Sequence, residues 1–310
     1  MSAMYETGLD KNAANFSALT PLDFLERAAA VMPEKTAIVH GARRDSYASF
    51  LSRCRRLGDA LRKRGIGIGD TVAAMLPNTP AMLDCHYGVA MAGAVLNSIN
   101  TRLDAATIAF ILDHGEAKVV IVDKEYGPVM ADALAQAAAT PLVVHVDDHL
   151  ATAGDLIGSV DYDDFWAEGA DDPAWPRPAD EWQAMCLNYT SGTTGNPKGV
   201  VFHHRGGYLN AIGNAIAFGL DADSRVEPPS PRSPRCTCSR APVSLCRRWI
   251  VAPLAPITRG MSRASTSSTV GVLPATMALI RAFACATCCG SPATRTSDFW
   301  RSMLMRAPDS

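Results

Sequence analysis

The sequence predicts an α/β fold, a mixed, mainly parallel sheet covered by helices, and two observations carry that expectation. Short β-branched runs such as "TVAAML", "KVVIVD" and "PLVVHVD" alternate with longer stretches in which apolar residues recur at helical spacing. Glycine, proline and aspartate fall at the joints, where chain reversals need them. Strand and helix in strict alternation favour parallel strands joined by crossover helices.

Taken in order, "TPLDFLERAAAVMP" reads as a helix with Thr20 at the N-cap, Pro21 in the first turn and a stop at Pro33. "KTAIVHGARRDSY" reads as two short strands turning at Gly41. In "SYASFLSRCRRLGDALRKRG", Phe50, Leu51, Leu57 and Leu61 lie on one helical face, and Gly65 ends the run. "TVAAML" is a buried strand, "TPAMLDCHYGVAMAGA" a helix, "VLNSIN" a strand, "DAATIAFILDHGEA" a helix and "KVVIVD" a strand. Helix "EYGPVMADALAQAAA" and strand "PLVVHVD" follow. "DDPAWPRPADEW" reads as a surface linker leading into strand "AMCLNY".

Composition divides the chain near Arg225. Residues 1–225 hold 18 Lys+Arg against 28 Asp+Glu, whereas residues 226–310 hold 11 arginines against 3 acids. The second segment contains no Lys, His, Asn, Gln or Tyr, yet it has 10 of the 20 prolines and 6 of the 9 cysteines. Losing five residue types over 85 positions departs from the usage of a folded domain. Residues 226–310 are therefore expected to be an aberrant tail that does not continue the sheet, with "MALIRAFACA" its best candidate for a short helix. The start of the chain shows no basic region followed by an apolar core, and no apolar run reaches membrane-spanning length, so a cytoplasmic location is expected. The odd cysteine count without paired spacing suggests free thiols rather than disulfides or zinc.

One loop carries chemistry. "NYTSGTTGNPKGVVFHH", Asn188 to His204, leaves strand "AMCLNY" and enters the apolar run "GVVF". Gly192, Gly195 and Gly199 permit backbone conformations and close approach that other residues resist. Successive N–H groups can then converge on an anion. Thr190, Ser191, Thr193 and Thr194 add hydroxyl donors, and Lys198 adds one mobile charge. A polyphosphate is the implied ligand. The stretch does not fit G-x-x-x-x-G-K-[ST], because its lysine stands between Pro197 and Gly199.

"YTSGTTGNPKGV" resembles the phosphate-binding signature of the adenylate-forming superfamily, and "LRKRGIGIGDTVAAMLPNTPAMLDCHYGVAMAGAVLNSINTRLD" is similar to its amino-terminal segments. The resemblance runs from about Asn15 to Arg225 and is strongest to acyl-CoA synthetases. It implies that residues 1–225 are the amino-terminal portion of an AMP-binding large domain, incomplete, with the small C-terminal domain absent. It also implies a carboxylic acid substrate, ATP with Mg2+, and coenzyme A. Thr190, Ser191, Gly192, Thr193, Thr194, Gly195 and Lys198 would hold the ATP phosphates. Family segments for the acyl pocket, the ribose and the adenylation lysine are not found, so catalytic residues stay unassigned. "SRVEPPSPRSPRCTCSRAPVS" resembles a shifted reading frame of a GC-rich gene. The expected function is that of an ATP-dependent acyl-CoA synthetase, truncated and inactive as this chain. A non-catalytic remnant with weak polyphosphate binding, or an adenylation domain loading a carrier protein, are the alternatives.

Other residues invite plainer readings. His203 and His204 are adjacent, so in a strand they face opposite sides, and no metal site is expected of them. "CATCC", Cys285 to Cys289, lacks a second ligand pair. The arginine excess of the tail comes without aromatic stacking residues, so no nucleic-acid partner is expected. Cys54 and Cys85 read as core, and Asn100 and Arg102 as either cleft-lining or capping residues.

Overall fold

The computed structural model describes residues 7–151, 153–190, 197–217 and 224, and the backbone of 305–306. The expected helix in "MALIRAFACA" and the cysteines of "CATCC" lie outside these residues.

The chain begins with helix α1 (Leu22–Val31), the hairpin β1 (Thr36–His40) and β2 (Arg43–Ser46), and helix α2 (Tyr47–Lys63). Then come β3 (Thr71–Met75), α3 (Pro80–Met91), β4 (Val95–Ser98), α4 (Ala105–His114), β5 (Ala117–Asp123), α5 (Gly127–Leu134) and β6 (Leu142–Val146). The short pair β7 (Val160–Asp161) and α6 (Tyr162–Ala167) follows, then β8 (Ala184–Thr190), β9 (Lys198–His203), α7 (His204–Ala217) and β10 (Met305–Arg306). Eight strands form one sheet in the order β10-β9-β8-β4-β3-β5-β6-β7. The six strands from β8 to β7 are parallel, while β9 and β10 run antiparallel at one edge.

Strand alternation feeds two cores, one on each face of the sheet. Val72, Ala74, Val119 and Ile121 face α1, α2, α3 and α6, where Leu25, Leu57, Cys85 and Phe165 are buried. Ala73, Met75, Val120 and Val122 face α4 and α5, where Ile111, Leu112 and Met130 are buried. The expected fold class is therefore the observed one.

Local signals act much as expected in several places. Gly41 turns the β1–β2 hairpin at φ +58°, and Gly65 follows α2 at φ +80°, both left-handed conformations that glycine adopts without a Cβ penalty. Ser46 and Asp104 cap α2 and α4 by accepting the N–H groups of Ser49 and Thr107. At α1 the cap falls on Pro21 rather than Thr20, although the Thr20 hydroxyl still accepts the Leu22 N–H at 3.3 Å. Helix α4 stops at His114, short of the expected "GEA", because Glu116 turns left-handed at φ 49° and releases the chain into β5.

Three differences concern long-range structure. β7, α6 and α7 are additional elements; α6 depends on Asp161, whose side chain accepts the N–H groups of Asp163 and Asp164. The "DDPAWPRPADEW" segment is pinned rather than a free linker, through Trp175 to Glu26, Arg177 to Asp23 and Arg55 to Asp172. At the far edge, β10 pairs two residues with β9, Met305 with Val201 and Arg306 with Val200. These two residues satisfy part of the row of backbone groups that β9 leaves unpaired at the sheet edge.

Helices α2 and α3 meet through glycine. A Cβ on Gly58 would sit 2.9 Å from the Gly88 carbonyl oxygen, and one on Gly88 would sit 2.9 Å from the Cys54 carbonyl oxygen. Close approach brings Arg53 of α2 onto Asp84 of α3, with guanidinium contacts of 3.0 and 3.2 Å, and Arg53 also lies 3.2 Å from Asp45. Gly88→Val must push the helices apart and strain that buried network, and overpacking of this kind costs about 1–3 kcal/mol. Urea unfolding followed by circular dichroism should show the midpoint falling, with Gly67→Val, whose Cβ meets nothing within 4 Å, as the near-neutral control.

Candidate phosphate-binding hairpin

The signature loop joins two antiparallel strands. Thr190 ends β8, Lys198 begins β9, and the two are direct cross-strand partners. Since β8 lies parallel to β4, Thr190 and Lys198 stand at the carboxyl edge of the parallel sheet, the side on which α/β folds gather ligands. Thr190 is half-buried and Lys198 exposed. Ser191, Gly192, Thr193, Thr194 and Gly195 lie outside the described residues.

The base of the hairpin is held by an aromatic contact. Tyr189 faces α4, where its hydroxyl lies 2.7 Å from His114 Nδ1. Burial pushes the Tyr189 phenol up to about 12, so it stays protonated at neutral pH and shares a hydrogen bond with the imidazole nitrogen. Phe110 packs against both rings. Gly199 stands opposite Tyr189 in ordinary extended backbone, and a Cβ there would meet Leu187 Cδ1 at 3.1 Å. Its service to the loop is therefore clearance for neighbouring side chains rather than unusual backbone geometry.

Two buried asparagines flank this base and went unread in the sequence. Asn97 on β4 and Asn188 on β8 each leave both side-chain amide atoms without a hydrogen-bond partner, at 0 and 3% exposure. Buried polar groups left unpaired are costly, and such groups beside a ligand loop are candidate contacts for a bound molecule. Their signal was faint, because a lone asparagine within an apolar strand names no partner. Asn100 organises the turn after β4 by accepting the Arg102 N–H, while Asp104 supplies the helix cap.

The two histidines after the hairpin part company at a strand-to-helix junction. His203 closes β9, and its Nδ1 accepts the Gly206 N–H at 2.8 Å while the ring packs on Trp182. His204 opens α7, and its Nδ1 lies 2.9 Å from the Thr20 hydroxyl, which ties the hairpin to the chain start. Glu181 reinforces the tie by accepting the Leu19 N–H and pairing with Arg205.

A doubly covered, mainly parallel sheet with a Thr/Gly-rich hairpin at its carboxyl edge defines an α/β domain organised around that edge. The chain belongs to the AMP-binding enzyme family, whose model matches residues 25–297 and so reaches into the arginine-rich segment. It is 45% identical over 224 residues to a peroxisomal acetate/butyrate–CoA ligase of Arabidopsis thaliana, covering 68% of this chain and 39% of that protein. It is 44% identical over 225 residues to an acetate–CoA ligase of Humulus lupulus, covering 69% and 40%. Thus the chain spans about two-fifths of the length of these relatives. Among solved structures, an anthranilate–CoA ligase bound to anthranoyl-AMP matches the fold with a TM-score of 0.62 at 24% identity, covering 70% of this chain and 41% of that one. A Mycobacterium tuberculosis fatty acyl-CoA synthetase matches with a TM-score of 0.52 at 31% identity, covering 67% and 38%. Among the described residues, no helix is long and apolar enough to cross a membrane.

His204 makes the junction pH-sensitive. Burial lowers its pKa from 6.5 to about 4, so the native junction holds the neutral ring while the unfolded chain takes up a proton earlier. Stability from this residue is present above about pH 6.5 and lost as pH falls toward 4. His86, also lowered to about 4 by burial, contributes in the same direction. Denaturant midpoints across this window should fall with acidification, and His204→Asn should shallow that fall relative to the parent.

Proposed function

We propose that the chain is the amino-terminal portion of an ATP-dependent acyl-CoA synthetase acting on a short-chain carboxylic acid in the cytoplasm. The single observation that carries this is the signature hairpin at the carboxyl edge, in a chain 45% identical to an acetate/butyrate–CoA ligase. In the reaction, a carboxylate oxygen attacks the α-phosphorus of ATP, giving acyl-adenylate and pyrophosphate. The coenzyme A thiolate then attacks the acyl carbon and releases AMP. Both steps rest on positioning and charge stabilisation.

The hairpin would hold the leaving pyrophosphate. Thr190 and Lys198 stand on either side of its mouth, and Ser191, Gly192, Thr193, Thr194 and Gly195 form the loop between them. Lys198 offsets charge on the leaving group and has no role as a base. Mg2+ would accompany the phosphates.

The composition change after Arg225 favours a second reading, in which this chain is a remnant that binds polyphosphate without adenylating an acid. Acid-dependent exchange of labelled pyrophosphate into ATP supports the synthetase, and ATP binding without exchange supports the remnant. Product formed on a carrier protein instead of coenzyme A would indicate an adenylation domain. Reading the codons for Ser224 to Pro234 in three frames tests whether the tail is a shifted frame.

Lys198→Ala removes the loop's cation, a charge-assisted contact worth about 1.5–3 kcal/mol. ATP affinity measured by equilibrium dialysis should fall about 10- to 100-fold. Unchanged affinity would remove Lys198 from the phosphate site.

A further inference from the structure

A second group of chemically suited side chains lies at the other side of the sheet. His40 closes β1, while Asp148 and His149 stand in the loop after β6. His40 Nε2 is 2.9 Å from Asp148 Oδ1 and 3.1 Å from Oδ2, and His149 Nδ1 is 3.6 Å from Asp148 Oδ1. One ligand atom from each residue lies within 4.8 Å of the other two. Metal–ligand bonds of about 2.0–2.2 Å set tetrahedral donors about 3.3 Å apart, so small adjustments bring these atoms around one ion.

The scaffold holds the donors from two sides. Asp148 also accepts the Leu150 N–H at 3.0 Å, which fixes its carboxylate. Leu150 in turn packs at the hairpin turn, where a Cβ on Gly41 would sit 3.1 Å from its Cδ1. A cavity of about 140 Å³ adjoins the three residues and is bordered by Asp147, Asp161 and Asp163. That volume admits water to complete a coordination sphere. Arg43 also borders it, but its charge is engaged by Asp45 at 2.9 Å.

We propose that His40 Nε2, Asp148 and His149 Nδ1 bind one divalent cation of the zinc class. Two imidazoles and one carboxylate favour Zn2+, Co2+ or Ni2+ over Mg2+ or Ca2+, which prefer all-oxygen shells. The ion takes the place of the proton that His40 shares with Asp148, and it clips the β1–β2 hairpin to the β6–β7 loop. Strands β4, β3 and β5 separate β6 from β8, so this site is distinct from the phosphate hairpin. Sequence spacing gave no hint of it, because His40 and Asp148 are 108 positions apart.

The test is a Co2+ titration of the full 310-residue chain, with accessible thiols alkylated so that cysteines do not bind the probe. One equivalent should produce a visible d–d band that Zn2+ removes. His149 is 63% exposed at its side chain, so His149→Ala leaves the core intact and should weaken Co2+ binding about tenfold or more. Asp148→Asn should do the same, and Zn2+ should raise the thermal midpoint of the parent but not of His149→Ala. Absence of the band, or titrations and thermal shifts identical in parent and His149→Ala, would overturn the site.

Discussion

The pairing of β4 with β8 is the joint on which the candidate site depends. Only two register pairs define it, Leu96 with Cys186 and Asn97 with Leu187, yet it carries the hairpin and α7 onto a sheet otherwise built from earlier residues. Backbone hydrogen bonds add modest net stability, so packing on both faces must hold the strand in place. Leu96 and Cys186 are buried on one face, while Leu187 and Tyr189 face Ile111 and Leu112 on the other. The contact from Tyr189 to His114 then fixes where β8 ends, and hence where the loop begins.

A buried charge network does comparable work beneath the opposite face. Arg53 bridges Asp84 on α3 and Asp45 on β2, and the Tyr162 hydroxyl of α6 approaches Asp84 at 3.4 Å. Desolvation by burial raises the Asp84 pKa while the Arg53 charge opposes it, so the attraction within the pair offsets part of the cost of removing both charges from water. The compensating gain is positional. Four elements are brought into register at once, and the hairpin so placed presents His40 to Asp148.

The two proposed sites lie apart along one sheet. β8 leads into a segment whose sequence is rich in glycine and hydroxyl donors, the chemistry proposed for an anion, while the region after β6 presents imidazole and carboxylate, the chemistry proposed for a cation. The second lies among side chains contributed by segments far apart in the chain.

Local chemistry by itself determined the element types from α1 to β6, the Gly41 and Gly65 breaks, the caps at Ser46 and Asp104, and the hydroxyl-rich loop with its lysine, because each depends on residues within a few positions of one another. Tertiary structure alone decided that β9 turns back antiparallel, that β7 and α6 form, that β10 pairs with β9, and that His203 and His204 serve different elements. It also decided which polar groups are buried: nothing near Asn97 or Asn188 in the chain marks them as unpartnered. Strand order and burial arise from contacts that close long loops, such as Thr20 with His204 at a separation of 184 residues. Their free energy comes from surfaces removed together from water, a property of the assembled sheet that no short stretch of sequence contains.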